Sequence, residues 1–281
     1  AEVRGYNIIR QGVEEFMASH NAVHPLDLII TPVAAYHLAG MSVAWVKGVE
    51  LNSMDETWVP ASGVFHPYVA KSDLALFRTN TNGLASGNNL EEAILHGMCE
   101  VIERDAWSLA EGRRKLNGNV EVPENGRVRD LYDRFTSKGI EVHLKNLTSD
   151  IGVPVIAAAT DDMEMQDPAL LTLGIGCHLN PEVAAVKALL EVAQSRLTQI
   201  HGAREDTVRG EHTRKLGYER MKRINAMWLT EEGDSMRLSD LPNRETDDIF
   251  DDLQVVRTQL NSRGLNSTVV VNLTRRELDI P

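Results

Sequence analysis

Three of the glutamates between residues 90 and 113, together with a histidine, are spaced so that they share one face of a helix. At about 100° per residue, His96, Glu100 and Glu103 lie within roughly 80° of Glu92. Carboxylates on one stripe repel one another, and no lysine lies on this stripe to neutralise them. A divalent cation would relieve the repulsion, and oxygen ligands favour Mg²⁺, Mn²⁺ or Ca²⁺. We therefore predict Glu92, Glu100 and Glu103 as metal ligands.

The loop before this helix has features that suit a phosphate. Residues 71–89 are polar, and Gly83 and Gly87 would let the backbone approach a ligand closely. The first N–H groups of the helix are open to an anion, and the helix dipole favours negative charge there. Arg104 lies at the flank of the acidic stripe, within reach of a phosphate. The loop and the stripe together predict a phosphate that Mg²⁺ bridges to the carboxylates.

Two other interpretations of the stripe stay open. Most charged helix faces are solvated surfaces, and a solvated acidic face explains the pattern without any ligand. A carboxylate-bridged di-iron centre is the second interpretation, and it requires Glu-x-x-His on two helices. The sequence contains no Glu-x-x-His motif, which weakens the di-iron interpretation.

A second predicted helix, residues 181–201, supplies a partner for the first. Asn180 is placed to cap this helix, and Pro181 opens it. Its polar stripe consists of Lys187, Glu191, Gln194 and Thr198. We expect its core-facing stripe to consist of Val186, Leu189, Leu190, Ala193 and Leu197. Arg196 falls within the apolar arc, where a guanidinium either extends towards water or is held by a buried anion.

Composition excludes several classes of protein. The 281 residues carry 29 basic and 41 acidic side chains, and the net charge of −12 argues against a general nucleic-acid binder. No apolar run reaches the roughly 20 residues of a membrane-spanning helix, and no signal-peptide core is recognisable. With two cysteines, Cys99 and Cys177, a disulfide framework and a four-cysteine zinc site are excluded. We expect a protein of the reducing cytoplasm that handles cations, without nucleic acid or membrane as partner.

Two short motifs carry little weight. Gly174-Ile175-Gly176 lacks the third glycine of a dinucleotide-binding loop, and the sequence has no Walker-type loop. Cys177-His178 resembles a catalytic pair, but a cysteine at the end of a strand is usually a small core residue.

Strands and helices intermix along the chain, which predicts an α/β architecture of the mixed α+β kind. Helices are expected over residues 1–19, 90–113, 127–139, 181–201 and 246–263. Strands are expected over residues 26–31, 41–51, 57–60, 140–147, 153–160, 170–177 and from 269 onwards. The polar stretch 205–242 is the best candidate for a lid. Since the chain begins within a helical pattern and ends on an apolar stub, we expect residues 1–281 to be one domain truncated at both ends.

The residues around the acidic stripe resemble the YcaO family. The resemblance rests on Asn82-Gly83-Leu84-Ala85-Ser86-Gly87-Asn88-Asn89-Leu90-Glu91-Glu92-Ala93, which continues to Glu100-Val101-Ile102-Glu103-Arg104-Asp105. Also similar are Trp45-Val46-Lys47-Gly48, Trp58-Val59-Pro60-Ala61 and Glu191-x-x-Gln194-x-Arg196. The motif is long and specific, and the similarity extends over nearly the whole chain.

This resemblance implies a YcaO-like fold with mixed sheets and long helices lining a cleft for ATP and Mg²⁺. The residues that match the family's second nucleotide and magnesium motif are Asn88, Glu92, Glu100, Glu103 and Arg104. Gln194 and Arg196 lie where the family places further nucleotide contacts. The family's earlier Ser-x-x-x-Glu-x-x-Glu-Arg helix is absent, and residues 1–4 resemble those just after it. A chain without that helix is expected to bind ATP weakly or not at all.

By resemblance, the expected activity is ATP-dependent phosphorylation of a backbone amide oxygen in a peptide, followed by replacement of that oxygen. We favour thioamide formation on a protein, as in archaeal members that modify a glycine of methyl-coenzyme M reductase. The alternatives are an azoline-forming cyclodehydratase of ribosomal peptides, a non-catalytic scaffold and a carboxylate metal oxidase. Expected partners are a peptide or protein substrate, a sulfur-delivery or substrate-recognition protein, and a second copy in a homodimer.

Overall fold

The computed structural model describes residues 6–71, 73–201, 207–231, 233–275, 277–278 and 280–281, except for the side chains of residues 207–211. The chain divides into two compact units. Unit 1 falls within Ala1–Gly97 and Leu260–Pro281, and unit 2 within Met98–Gln259. The interpretation of residues 1–281 as a single domain stays a prediction.

Unit 1 is built on an antiparallel sheet whose central strand is buried on both faces. Its elements are β1 (Ile8–Gly12), α1 (Val13–Met17), α2 (Pro32–His37), β2 (Ser42–Glu50), β3 (Glu56–Pro60) and β9 (Val269–Val270). β2 pairs with β1 and β3, and β9 pairs with its last residues. Val43 and Trp45 pack in one apolar cluster, whereas Ala44 and Val46 pack in another. Successive side chains of a strand point to opposite faces, so β2 contributes to two cores.

Two sequence predictions in unit 1 are wrong. Residues 8–12 of the expected first helix form β1 instead, because pairing with β2 outweighs a local helical spacing. Residues 1–5 of that expected helix lie outside the described residues. The expected strand over residues 26–31 is also absent, since Pro25–Asp27 is a 3-10 turn and the Thr31 side chain already caps α2.

Unit 2 contains a sheet with the strand order β7-β6-β5-β4-β8 in the described part of the chain. These strands are β4 (Asn119–Val120), β5 (Ile140–Asn146), β6 (Val155–Asp162), β7 (Thr172–Cys177) and β8 (Ser235–Met236). Neighbouring strands are antiparallel, except that β4 and β8 are parallel. The mixed α/β architecture predicted from the sequence is confirmed.

The remaining helices are α3 (Leu90–Arg113), α4 (Arg127–Thr136), α5 (Pro181–His201), α6 (Thr207–Leu216), α7 (Tyr218–Ile224), α8 (Ala226–Leu229) and α9 (Ile249–Ser262). α3 and α5 have the bounds that the sequence predicts. α3 is one continuous helix, and the division between the two units falls within it, after Gly97. Of the helices in the described residues, none combines the length and the apolar character needed to cross a membrane.

Two glycines let α5 lie directly on strand β7. A Cβ atom on Gly174 would overlap the carbonyl oxygen of Ala188, and one on Gly176 would overlap the carbonyl oxygen of Ala184. The helix presents small side chains here, because the close approach leaves no room for larger ones. The Gly-x-Gly sequence therefore serves helix–strand packing.

This packing corrects two predicted apolar faces. The residues of α5 that are buried in the core are Pro181, Ala184, Ala185, Ala188, Leu189 and Val192. The expected core residues Leu190, Ala193 and Leu197 are exposed instead, since the small residues face the sheet. On α3, helical spacing predicts a core face opposite the acidic stripe, and this is confirmed by the burial of Leu95, Met98, Cys99 and Ile102. The prediction is wrong at Val101 of the same face, which is exposed.

Helices α6 and α7, in the stretch predicted as a lid, are tied to the hairpin between β6 and β7. Arg214 pairs with Asp167 at 3.0 Å. Lys222 pairs with the buried Asp161 at 2.6 Å, and the Tyr218 hydroxyl donates to the same carboxylate at 2.7 Å. A lid function for residues 205–242 stays a prediction.

We predict that Gly176→Ala destabilises the protein by about 2–3 kcal/mol, because rotating a side chain cannot relieve an overlap with backbone atoms. Urea unfolding followed by circular dichroism measures the change. Gly112→Ala on α3 is the matched control, since no atom lies within 4 Å of its added Cβ. That change should stabilise the helix slightly. Equal losses at the two positions would contradict the packing role of Gly176.

Candidate functional site

The junction between the polar loop and α3 joins two of the predicted site residues. The side chain of Asn89 accepts a hydrogen bond from the backbone N–H of Glu92 at 2.8 Å and so caps the helix. The Glu92 carboxylate accepts hydrogen bonds from the backbone N–H and the side-chain amide of Asn88, at 2.6 and 2.8 Å. These bonds lower the pKa of Glu92. Asn88 therefore holds Glu92 as an oriented carboxylate.

Glycines hold the loop close to the start of α3. A Cβ on Gly87 would lie 2.5 Å from the backbone nitrogen of Ala93, and one on Gly97 would lie 2.9 Å from the carbonyl oxygen of Gly83. Gly83 itself has a φ of +76°, which favours glycine. The predicted close approach at Gly83 and Gly87 is thus, in this structure, an approach of the loop to the backbone of α3.

Glu103 is the most perturbed carboxylate of the acidic stripe. Its exposed fraction is 7%. Burial is the largest cause that raises its pKa, to about 7, and the negative charges of Glu191 on α5 and, to a smaller extent, of Glu100 act in the same direction. Arg104 and Lys187 act in the opposite direction but do not offset these effects. Glu103 is therefore a buried acid with an incomplete set of positive neighbours, as a cation-binding carboxylate would be before the cation arrives.

Arg104 lies beside Glu100, one turn along α3. Its Nε is 3.4 Å from Oε1 of Glu100, and its guanidinium lies over the ring of Trp107 at 5.3 Å. This Nε is buried and pairs with Glu100 by charge alone, without a hydrogen bond. A guanidinium held in this loose way is a positive group that suits an anion such as a phosphate.

The polar stripe of α5 covers the free edge of strand β7. Oε2 of Glu191 accepts a hydrogen bond from the backbone N–H of Ile175 at 2.9 Å. Nζ of Lys187 donates to the carbonyl oxygen of Cys177 at 3.1 Å. β7 is the first strand in the sheet order, so these side chains satisfy groups that no further described strand pairs with. The same contacts bring Glu191 close enough for its charge to act on Glu103.

Glu191 is a candidate ligand that the sequence-based site omits. It belongs to the predicted polar stripe of α5 and opens the Glu191-x-x-Gln194-x-Arg196 motif. Its position on the polar stripe, one helical turn before Gln194, is the sequence signal that could have identified it. Its proximity to Glu103 depends on the packing of α5 and could not be derived from spacing along one helix.

Arg196 is held by a buried anion, which is the second of the two alternatives for this side chain. Nη2 lies 2.5 Å from Oδ2 of Asp162, at the end of β6. Burial alone would raise the pKa of Asp162, but hydrogen bonds from the Met165 N–H and from Arg196 outweigh it and lower the pKa. Nη1 of Arg196 is buried without a hydrogen-bond partner. Gln194 is exposed on α5.

The similarity to known proteins extends from these motif residues to the whole sequence. A family model described as YcaO cyclodehydratase, ATP- and Mg²⁺-binding, matches residues 4–281. The chain belongs to the YcaO family. An uncharacterized protein of Methanothermobacter thermautotrophicus is 49% identical over 234 residues, which are 82% of this chain and 61% of the relative. An uncharacterized protein in the tfuA 3′ region of Rhizobium leguminosarum bv. trifolii is 32% identical over 218 residues, 73% of this chain and 51% of the relative.

The YcaO chain therefore spans between about half and three fifths of the length of these two relatives. Among solved structures, YcaO from Methanopyrus kandleri bound with AMPPCP and Mg²⁺ matches with a TM-score of 0.80 and 29% identity. That match covers 100% of this chain and 69% of the other. A heterocyclase in complex with substrate and cofactor has the same fold, with a TM-score of 0.81 at 22% identity over 97% of this chain and 39% of the other. The predicted YcaO-like fold is confirmed.

The charges of this YcaO site fit a magnesium–nucleotide better than a metal held by protein ligands alone. Across the described residues, no three acidic, histidine or cysteine side chains lie together as a preformed metal site. Mg²⁺ commonly takes only one or two protein carboxylates and completes its shell with phosphate and water. Glu103 and Glu191 are two neighbouring negative charges that would suit a metal, and the Arg104 guanidinium is a positive group that would suit a phosphate.

We predict that Glu103→Gln stabilises the metal-free protein above pH 7. The folded state holds the proton of Glu103 up to about pH 7, whereas the unfolded chain releases it at about 4.3. Folding stability is therefore lost as the pH rises from about 4.3 to about 7, by up to about 3 kcal/mol in total, and the glutamine avoids this loss. Thermal unfolding from pH 3 to 9 with EDTA measures the difference, which should be full above about pH 7 and vanish below about pH 4.

The control for this pH series is Glu219→Gln on the exposed surface of α7. It removes the same charge and should leave the pH profile unchanged. A Glu103→Gln profile that runs parallel to that of the unsubstituted protein would contradict the raised pKa.

Proposed function

We propose that this YcaO chain contributes the α3 half of a site for ATP and Mg²⁺ and activates a backbone amide of a peptide by phosphorylation. The observation that supports the proposal most is Glu103, a buried carboxylate faced by Glu191 with too little positive charge around it. The family description as ATP- and Mg²⁺-binding supports the same assignment.

The proposed Mg²⁺ ligands are Glu92, Glu100 and Glu103, with Glu191 added by its proximity to Glu103. Asn88 orients Glu92, and Arg104 is the proposed phosphate contact on α3. The proposed set is completed on α5 by Gln194 and Arg196. Arg196 could contribute through its unpaired Nη1 while Nη2 stays on Asp162. Bound Mg²⁺ would offset charge on the phosphates during transfer.

In the proposed reaction the amide oxygen attacks the γ-phosphorus of ATP. A new O–P bond forms, the bond from the γ-phosphorus to the bridging oxygen breaks, and ADP leaves. A sulfur nucleophile then adds to the activated carbon, and its C–O bond breaks to release phosphate. In this scheme Arg104 stabilises negative charge on the transferring group.

For the product we propose a thioamide on a protein. The 49% identity to a protein from the methanogen Methanothermobacter thermautotrophicus supports an archaeal role related to methanogenesis. An azoline-forming cyclodehydratase is the second candidate, and the family description and the heterocyclase of the same fold favour it. A peptide or protein substrate, a sulfur-delivery or substrate-recognition partner, a homodimer and a cytoplasmic location belong to this proposal.

We predict that Glu100→Gln weakens Mg-ATP binding at least about tenfold, because it removes a formal charge from the proposed metal site. Isothermal titration of Mg-ATP into the full-length protein measures the dissociation constant. Glu91→Gln is the matched control, since it removes the same charge from the exposed first turn of α3, outside the stripe. Full-length protein that binds no Mg-ATP would refute the proposal, as would an equal loss in both variants.

The product is predicted to be a thioamide when full-length protein is supplied with ATP, Mg²⁺, sulfide and a candidate substrate. Mass spectrometry then finds one oxygen exchanged for sulfur, with one ADP formed per exchange. Loss of one water from a Cys, Ser or Thr site, without need of sulfide, would instead identify a cyclodehydratase.

A further inference from the structure

The turn between β6 and β7 presents two methionines to solvent. Met163 and Met165 are 42% and 61% exposed. Hydrogen bonds fix this turn, since the backbone N–H groups of Glu164 and Met165 donate to Oδ1 of Asp162 at 3.2 and 2.8 Å. A small oxidant in solution therefore reaches both thioethers without any opening of the fold.

The sulfur of Met165 lies against the guanidinium of Arg196. Nη2 of Arg196 is 3.9 Å from this Sδ, and it also donates to Oδ2 of Asp162 at 2.5 Å. A thioether is a weak acceptor, so the contact with Met165 contributes little in the reduced protein. Nη1 of the same guanidinium is buried and has no hydrogen-bond partner among the described residues. Arg196 therefore retains donor capacity for a stronger acceptor beside it.

Oxidation of Met165 would place such an acceptor at the guanidinium. A peroxide transfers one oxygen atom to the thioether sulfur, which gives up two electrons, and the other oxygen of the peroxide leaves as water. The product is a sulfoxide, whose polar oxygen lies one S–O bond from the sulfur. The 3.9 Å between Sδ and Nη2 leaves room for that oxygen at hydrogen-bond distance from the nitrogen.

We propose that Met165 is a reversible oxidation site whose sulfoxide is bound by Arg196. The oxidant class is a small peroxide. Methionine sulfoxide reductase restores the thioether, since its thiols supply two electrons and two protons and the sulfoxide oxygen leaves as water. A hydrogen bond from a charged guanidinium is stronger than the thioether contact that it replaces. Oxidation therefore holds the guanidinium at the β6–β7 turn.

The oxidised turn would compete with the nucleotide for Arg196. This side chain is one of the proposed nucleotide contacts on α5, and Nη1 is the donor assigned to that contact. A guanidinium is rigid and planar, so turning it towards the sulfoxide moves Nη1 as well. We expect Mg-ATP to bind at least about fivefold more weakly to the oxidised protein. This effect on binding rests on the proposed function, whereas the contact between Arg196 and the sulfoxide does not.

The test uses full-length protein treated with hydrogen peroxide, before and after repair by both methionine sulfoxide reductases, since each repairs one epimer. Peptide mapping by mass spectrometry locates each added oxygen. NMR of the arginine side chains, with Arg196→Lys to assign the signal, reports on Arg196 in protein without nucleotide. Titration of Mg-ATP measures the affinity. We expect the Arg196 signal to shift and the affinity to fall on oxidation of Met165, and both changes to reverse on repair.

Two variants separate Met165 from its neighbour on the turn. Met165→Leu keeps an apolar side chain of similar size, so it should bind Mg-ATP as the reduced protein does and should not respond to peroxide. Met163→Leu is the matched control, because the Met163 sulfur accepts instead from the Tyr218 hydroxyl and Lys222 Nζ, at 3.7 and 3.6 Å. It should respond to peroxide as the unsubstituted protein does.

Three outcomes would overturn the proposal. The first is no oxygen on Met165 under conditions that oxidise Met163, and the second is a Met165 sulfoxide that leaves the Arg196 signal unchanged. The third is a response to peroxide that persists in Met165→Leu, since it would come from other residues.

The NMR and the titration distinguish this proposal from the proposed function. If reduced full-length protein binds no Mg-ATP, the proposed function fails, and the Arg196 signal still decides whether the sulfoxide is bound. A shift of that signal with unchanged affinity would support the oxidation site and contradict the assignment of Arg196 as a nucleotide contact.

Discussion

The open edge of strand β7 is the constraint on which the arrangement of unit 2 depends. An edge strand carries N–H and C=O groups that cost free energy if they are buried without partners. Glu191 and Lys187, one turn apart on α5, satisfy two of these groups, at Ile175 and Cys177. If Glu191 moved away, the buried N–H of Ile175 would lose its hydrogen bond. This contact keeps the negative charge of Glu191 near Glu103, although the two carboxylates repel each other.

The close packing of α5 makes this edge contact possible. A glutamate side chain is short, so it reaches the strand only if the helix axis lies near the sheet. Gly174 and Gly176 allow that approach, and the alanines of α5 fill the space that remains. The negative charge at the site is therefore maintained by packing that also stabilises the core. The repulsion between carboxylates held in this way lowers the folding stability of the free protein. Binding of a cation would offset that loss of stability.

The sequence by itself determined the two long helices α3 and α5 and the acidic stripe of α3. The bounds of α3 and α5 were predictable because caps and hydrophobic spacing are local signals. Glu92, Glu100 and Glu103 could be placed on one stripe because a helix converts spacing into angle. The long motif that begins at Asn82 sufficed to identify the YcaO family.

Only the tertiary structure decided which elements meet. The contact of Glu191 with β7 and the pairing of Arg196 with Asp162 each join different elements of the fold. Residues 8–12 became a strand for the same reason, since β2 offered them a partner. Local spacing carries no information about such partners, because they depend on how whole elements pack and on how closely their backbones approach.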